Sequence, residues 1–300
     1  MIRRNFIAAG LAAGAASTAA GAGHNENKFK LKYGPHEGMF ENLAGEKVFD
    51  QIRFAADQGF TAWEDNRAGE RPIAEQKKLG ALLDKLGMTM GVFVSYGLGI
   101  FESMDFVTKT DKAFQDAIKA EMQVASEVAK RVNAQWTTVV PTQVNEKLDP
   151  NYQLANCIEN LKVMSEVCEQ SGLVMVLEPL NWYANHPRLF LRSVPQAYAI
   201  CKAVDSPSCK ILDDLYHQQI DVGNLIPNMD KAWDEIAYVQ VGDNPGRKEP
   251  TTGEINYKRI FEWLYNRNYG GVVGMEHGNS MPDAPGERAV IAAYREVDSF

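Results

Sequence analysis

The stretch CKILDDLYHQQI, residues 209–220, joins a short apolar run to two adjacent acids, Asp213 and Asp214. The run has the composition of a buried β-strand, and the two acids close it. Carboxylates at the inner end of such a strand are costly to remove from water unless they are paired, hydrogen-bonded or bound to a cation. The stretch therefore indicates a strand that ends in a site.

Seven other short runs along the chain also have the composition of β-strands. Amphipathic, charge-rich segments separate them, with apolar residues at the i, i+3, i+4 and i+7 spacing of a helix. Eight strands, each followed by a helix, within about 270 residues predict an α/β fold, a single (β/α)8 TIM barrel. A doubly wound sheet is the alternative, but no G-x-G-x-x-G motif opens the first unit. The seven runs are residues 31–34, 61–65, 88–96, 136–140, 173–179, 235–242 and 271–277.

The composition excludes several classes of protein. The formal net charge is −8, which argues against nucleic acid as a partner. No internal stretch has the roughly 18 consecutive apolar residues of a membrane span. The four cysteines show no C-x-x-C spacing, so a zinc knuckle is not expected, and the sequence leaves their oxidation open. The expected partner is a small-molecule substrate, and association into a homo-oligomer stays open.

The first 25 residues differ from the rest of the chain. They begin with Arg3 and Arg4, continue into an Ala/Gly/Leu-rich segment and contain no acidic residue. Residues 3–7 resemble the twin-arginine signal of bacterial export, and an A-x-A cleavage site lies at residues 20–22. We expect a twin-arginine-type signal peptide over residues 1–25, a barrel domain over 26–300 and a periplasmic mature protein. The alternative is an Ala-rich disordered tail.

Oxygen-bearing side chains recur at the ends of four successive strands in the second half of the chain. They are Glu178, Asp214, Gln240 and Glu276, each about one βα unit from the next. Because the carboxyl ends of barrel strands meet at one mouth, these side chains can converge on one point. Three carboxylates and an amide, without sulfur, form a hard site that suits Mg²⁺ or Mn²⁺. Neighbouring strand residues face opposite sides, so only one of Asp213 and Asp214 can point inward.

Several motifs resemble the hydroxypyruvate isomerase family, which belongs to the xylose-isomerase-like barrels. The most specific is GRKEPTTGEINY, residues 246–257, a long polar loop that ends in G-E-I-N-Y. The likeness covers roughly the last 130 residues well and the first half by its strand–helix pattern only. The other motifs are LEPLN (177–181), DLYHQQ (214–219), YVQVGDNPGRKEPTTGEINYKRIF (238–261) and NYGGVVGMEH (268–277).

The resemblance implies a reaction and a role for each site residue. The family interconverts hydroxypyruvate and tartronate semialdehyde, which moves a proton between adjacent carbons. Its metal ligands fall on Glu178, Asp214, Gln240 and Glu276, so the D-x-x-H motif selects Asp214 over its neighbour. The same motif makes His217 a substrate-contacting residue. A base, an acid and a cation are needed, and Glu178 and Glu276 suit the two proton-transfer roles.

Other charged residues near the strand ends have less certain roles. Arg247 is the candidate for gripping a substrate oxygen or carboxylate, because a guanidinium fork matches that shape. His36 and His186 follow strands and are candidates for the barrel mouth. His277 directly follows Glu276, so strand alternation turns it away from the metal.

Three alternatives to this assignment differ in class. Ketose 3-epimerases also carry L-E-P-L-N, but they place a histidine where this chain has Gln240. The endonuclease IV branch needs many histidines and a basic surface, whereas this chain has five histidines and a charge of −8. A periplasmic sugar-binding barrel without turnover is the third. Hydroxypyruvate is a cytoplasmic intermediate, so export points to a sugar or sugar acid as the substrate of this member.

Overall fold

The computed structural model describes residues 28–300, and the expected signal peptide over residues 1–25 lies outside them. The described chain alternates strands and helices. The strands are β1 (Lys32–Gly34), β2 (Ala62–Trp63), β3 (Thr89–Met90), β4 (Val94–Tyr96), β5 (Trp136–Val139), β6 (Val174–Leu177), β7 (Cys209–Asp214), β8 (Ile236–Gln240) and β9 (Val272–Gly274). The helices are α1 (Glu41–Ala44), α2 (Val48–Asp57), α3 (Ile73–Leu86), α4 (Asp105–Thr108), α5 (Lys112–Val132), α6 (Pro150–Ser171), α7 (Val194–Val204), α8 (Leu215–Asp221), α9 (Leu225–Ala232), α10 (Tyr257–Asn266) and α11 (Asp283–Val297).

The strands form one curled parallel sheet. Seven of them pair in the order β1-β9-β8-β7-β6-β5-β4, and β2 pairs with β3. Parallel bridges from His36 to Glu64 and from Met90 to Ala134 join the β2–β3 pair to its neighbours on both sides. The predicted (β/α)8 barrel is therefore confirmed.

The third predicted strand, residues 88–96, is not continuous, because the structure divides it into β3 and β4. The break covers residues 91–93. The Val92 N–H donates to the Tyr238 hydroxyl, at 3.3 Å, instead of to a strand neighbour. A Cβ atom at Gly91 would overlap that hydroxyl, so glycine is required for the tyrosine to reach across. A buried side-chain contact has replaced part of the backbone ladder.

Two apolar layers lie on opposite sides of the sheet. The larger one, between sheet and helices, contains Tyr33, Phe261 and Tyr294. The smaller one fills the barrel interior and takes one residue from each of seven strand segments. Its members are Ala62, Val92, Trp136, Val176, Leu212, Tyr238 and Val272. This inner ring fixes which strand residues face the barrel axis.

Two further observations bear on the expectations from composition. All four cysteines, which lie in the described part of the chain, are buried and free. Between residues 28 and 300, no helix combines the length and apolar character needed to cross a membrane.

Candidate active site

Strand alternation places a ring of polar side chains directly above the inner apolar ring. Successive strand residues alternate in direction, so a residue two positions after an interior one also faces the axis. Ala62, Val176, Leu212 and Tyr238 are interior. Two positions later, toward the carboxyl ends of the strands, the ring above contains Glu64, Glu178, Asp214 and Gln240. Asp214 therefore faces inward and Asp213 outward, as strand alternation requires.

Asp214 connects a strand to a helix and presents one oxygen to the mouth. It is the N-cap of α8, where its Oδ1 accepts from the Tyr216 N–H at 2.9 Å. Its Oδ2 remains free of the cap and lies 3.5 Å from Nε2 of His217. Ligand atoms of Glu178, Asp214 and His217 all lie within 4.8 Å of one another, and the three residues are buried. This spacing is compatible with a metal ion.

The hydrogen bonds of His217 indicate where its proton resides. Asn181 Oδ1 accepts from the Ala184 N–H at 2.9 Å, which turns the Asn181 Nδ2 toward His217 Nδ1, 2.6 Å away. Since Nδ1 accepts from that amide, the proton of the neutral ring is assigned to Nε2. Burial lowers the pKa of His217 to about 3, which keeps the ring neutral. Nε2–H therefore is a donor, and it has no hydrogen-bond partner among residues 28–300.

Gln240 is oriented by an acid that the motif comparison did not identify. Its Nε2 donates to Oε1 of Glu64 at 2.8 Å, and the Tyr238 hydroxyl donates to Oε2 of the same carboxylate at 2.8 Å. The Gln240 Oε1 is buried and has no partner within the described chain. Glu64 lies at the carboxyl end of the second run, TAWED, as Asp214 does in its own run. That similarity was the signal available in the sequence.

Arg247 lies between two of the predicted ligands. Its Nη2 is 3.0 Å from Asp214 Oδ2 and 2.9 Å from Glu276 Oε2, and its Nε donates to the Glu276 carbonyl at 3.1 Å. The other Glu276 oxygen, Oε1, accepts from Asn66 Nδ2 at 3.2 Å. The structure thus brings Glu178, Asp214, Glu276 and Arg247 together at one mouth, with the guanidinium paired to carboxylates.

The charges at the mouth are unbalanced. Four carboxylates, Glu64, Glu178, Asp214 and Glu276, influence one another there, and Arg247 pairs with two of them, Asp214 and Glu276. Burial, followed by the nearby Glu276, raises the pKa of Glu178 well above its usual range. Burial also raises the pKa of Glu276 to about 7, against the opposing effect of Arg247, and that of Glu64 to about 8. A cation at this position would offset the repulsion among the acids.

Two cavities open beside these groups and share Asn66, Arg67 and Glu276. One, of about 250 Å³, has an apolar wall opposite Glu178, His186, His217 and Arg247. That wall consists of Val94, Leu98, Phe101, Val140 and Leu180. The other, of about 290 Å³, is lined by His36, Glu37, Glu64 and Asp65.

The other three histidines between residues 28 and 300 lie where they were expected. His36 and His186 each line a cavity at the mouth. His277 is buried on the other side of its strand, with Nε2 3.0 Å from the Tyr294 hydroxyl. It takes no part in the acidic cluster.

Known proteins similar to this chain include a hydroxypyruvate isomerase and a 2-oxo-tetronate isomerase. The hydroxypyruvate isomerase of Escherichia coli K12 is 30% identical over 168 residues, which are 56% of this chain and 63% of that protein. The 2-oxo-tetronate isomerase of Cupriavidus necator is 27% identical over 232 residues, 76% of this chain and 86% of that protein. A Xenopus laevis relative, 39% identical, is matched over 44% of its length. The chain thus spans less than two thirds of the E. coli and Xenopus relatives.

Solved structures share the architecture at low identity. A family 2 AP endonuclease from Brucella melitensis superposes with a TM-score of 0.73 at 22% identity, covering 88% of this chain and 99% of that one. D-psicose 3-epimerase from Clostridium cellulolyticum H10, crystallised with D-tagatose, gives 0.71 at 19% identity, covering 90% and 100%. At such identities the likeness concerns the fold alone. The model of the xylose isomerase-like TIM barrel matches residues 52–297, and the chain belongs to that family.

Proposed function

We propose that this protein is a metal-dependent isomerase that moves a proton between adjacent carbons of hydroxypyruvate or a related small hydroxy-carbonyl compound or sugar acid. The observation that carries the proposal is the pair Glu178 and Glu276. Both acids face one cavity beside Asp214, and burial raises the pKa of each. The two relatives named as isomerases of small oxo acids support the same reaction class.

The donor set fits a hard divalent cation, Mg²⁺ or Mn²⁺. The buried Gln240 Oε1 lacks a partner within residues 28–300, and the repulsion of neighbouring carboxylates contributes to the raised pKa of Glu64 and of Glu178. Glu178, Asp214, Gln240 and Glu276 would hold the ion, because they offer oxygen atoms and no sulfur. When bound, the ion would supply Lewis-acid stabilisation of negative charge on a substrate oxygen.

The side chains of the chain account for the proton transfers. One of Glu178 and Glu276, ionised, removes a proton from the carbon next to the carbonyl, which leaves an enediolate. The other, protonated, delivers a proton to the former carbonyl carbon, while the proton of the adjacent hydroxyl passes to the former carbonyl oxygen, so that the carbonyl group moves by one carbon. A raised pKa suits both roles, because proton transfer is most efficient when the pKa lies near the working pH. The Nε2–H of His217 donates to the developing oxyanion, which its neutral ring and free donor allow.

Arg247 is proposed to orient an anionic end of the substrate. Its guanidinium lines the same cavity as the two glutamates, and it stacks over the Tyr216 ring at 4.9 Å. That stacking, with the bond from Nε to the Glu276 carbonyl, fixes the plane of the fork. Because Nε and Nη2 donate to Glu276 and Asp214, Nη1 is the nitrogen proposed to donate to a carboxylate oxygen of the substrate.

The test replaces each glutamate with an isosteric amide. Glu178→Gln and Glu276→Gln each keep an oxygen ligand but lose the titratable carboxylate, so turnover should fall about 10²–10⁴-fold. The exposed Glu75→Gln is the matched control and should keep wild-type turnover. The assay follows isomerisation and solvent deuterium uptake in hydroxypyruvate, four-carbon oxo acids, short ketoses and sugar acids, with Mn²⁺ present.

Each outcome distinguishes the alternatives. Near wild-type turnover in both Gln variants would show that the carboxylates are structural. Deuterium uptake without a change of carbonyl position in a ketose would favour an epimerase. Binding of these compounds without any exchange would favour a sugar-binding barrel. Mn²⁺ binding should be lost in Asp214→Ala and kept in Asp213→Ala, because only Asp214 faces the barrel axis.

We also propose that the mature protein works in the periplasm after twin-arginine export. The support is the Arg3-Arg4-x-Phe6-Ile7 motif, followed by a weakly hydrophobic segment and an A-x-A site. Substrates available outside the inner membrane, such as sugars and sugar acids, then become the first compounds to assay.

A further inference from the structure

Glu64 is a buried acid that the proposed reaction does not use. It lies just after β2 and is 1% exposed. Both of its oxygens accept hydrogen bonds from β8, one from the Gln240 Nε2 and one from the Tyr238 hydroxyl, each at 2.8 Å. A carboxylate held by two donors from β8, a strand that is not adjacent to β2 in the sheet, is fixed in its orientation.

The contact determines the orientation of the Gln240 amide. A glutamine side chain carries one acceptor and one donor end, and rotating it exchanges them. Both Glu64 oxygens accept, one of them from the Tyr238 hydroxyl, so the amide is held in the orientation in which its Nε2 faces Glu64. Oε1 then faces the opposite way, and it is buried without a partner in the described chain. Asp214, the cross-strand neighbour of Gln240, is a proposed ligand of the same ion.

The barrel leaves room for this arrangement at two glycines. A Cβ atom at Gly274, the cross-strand neighbour of Gln240 on β9, would overlap Oε2 of Glu64. A Cβ atom at Gly91 would overlap the Tyr238 hydroxyl. Any side chain at either position would displace the Glu64–Tyr238 pair. The acid is therefore accommodated by the surrounding backbone.

We infer that Glu64 is a positioning residue that holds the Gln240 carbonyl oxygen toward the metal position. The inference rests on the proposed metal-dependent function. Without the carboxylate, the Gln240 amide can rotate and present its NH₂ group, which repels a cation. Partners that orient metal ligands typically change metal affinity about 10–100-fold when removed.

The test uses an exchange of the two side chains. Glu64→Gln removes the acceptor-only group with little change of volume, and we expect Mn²⁺ affinity to fall about 10–100-fold. The double variant Glu64→Gln with Gln240→Glu restores one hydrogen-bond pair, with the donor now on residue 64 and the acceptor on residue 240. The two oxygens of the new carboxylate at residue 240 are equivalent, so one of them faces the metal in either orientation. This double variant should recover Mn²⁺ affinity to within about threefold of the wild type. The exposed Glu75→Gln makes the same chemical change away from the site and is the matched control, with affinity close to the wild type.

Mn²⁺ affinity is measured by calorimetry and by electron paramagnetic resonance of free Mn²⁺, and near-UV circular dichroism checks the fold. If the wild type binds Mn²⁺ and Glu64→Gln binds it with the same affinity, this inference is overturned and the proposed function still stands. A folded double variant without recovery would show that amide orientation is not the cause. If Glu64→Gln does not fold, the Mn²⁺ affinity of the double variant is the test: affinity near that of the wild type supports the inference, and a loss of affinity contradicts it. No Mn²⁺ binding by the wild type would overturn the metal site and this inference together.

Discussion

Replacing Asp213 with asparagine should change how the stability of the protein depends on pH. Asp213 faces away from the barrel axis, is 2% exposed and has an Oδ1 without a hydrogen-bond partner in the described chain. Burial, with a smaller contribution from Asp214, raises the pKa of Asp213 from 3.8 to about 7. The folded state therefore keeps a proton that the unfolded chain releases.

The sign and size follow from that difference in pKa. An acid whose folded pKa is raised favours the folded state at low pH, and this contribution is lost as pH rises from about 4 to about 7. A shift of about three units corresponds to about 4 kcal/mol in total, of which about 3 kcal/mol falls between pH 5 and pH 8. Asparagine does not titrate. The wild type should thus lose about 3 kcal/mol more than Asp213→Asn over this range.

The assay is urea unfolding followed by circular dichroism at pH 5, 6, 7 and 8, with EDTA present so that no metal at Asp214 contributes. The exposed Asp84→Asn is the matched control, and its profile should run parallel to the wild type. The quantity compared is the difference between wild type and variant at each pH, which cancels the other titrating groups. If the Asp213→Asn and wild-type profiles are parallel within about 0.5 kcal/mol, the argument from burial is refuted.

Three other changes have expected outcomes. Replacing Arg3 and Arg4 with lysine should leave the precursor in the cytoplasm, and mature protein in the periplasmic fraction would contradict the twin-arginine assignment. Burial lowers the pKa of His277 to about 3, so the free energy of unfolding should decrease as the pH falls below 6.5. By pH 5 the decrease should be about 2 kcal/mol in urea unfolding, and it should be absent in His277→Gln. A Cβ at Gly80 would overlap the Arg131 carbonyl of α5, so Gly80→Ala should lower the free energy of unfolding by about 1–3 kcal/mol. An unchanged midpoint of urea unfolding would show that the two helices move apart without cost.

The sequence was sufficient for the barrel because its signals are periodic. Alternating strand and helix patterns do not depend on which residues touch, so eight runs predicted the closed sheet. The break at Gly91 could not be predicted, since it follows from a hydroxyl on Tyr238, 147 residues later. Long-range side-chain contacts of this kind leave no local pattern.

The site was predictable where strand alternation governs it. Asp214 lies two residues after an interior leucine, and the same offset applies to Glu178 and Gln240. Glu64 was missed because the comparison of motifs concentrated on the second half of the chain. The proton position on His217 was beyond reach, because it depends on Asn181, which approaches from a different loop.

The irregular closure of the barrel has a consequence for its motion. The pair β2–β3 has a ladder of two residue pairs, and single bridges join it to β1 and to the segment before β5, whereas β7 and β8 share four pairs. Local opening is easiest where backbone hydrogen bonds are few. Backbone amides of this arc should therefore exchange with deuterium faster than those around Asp214. We expect this local opening to admit solvent and ligand on the side that carries Asn66, while the wall formed by β7 and β8 keeps its geometry.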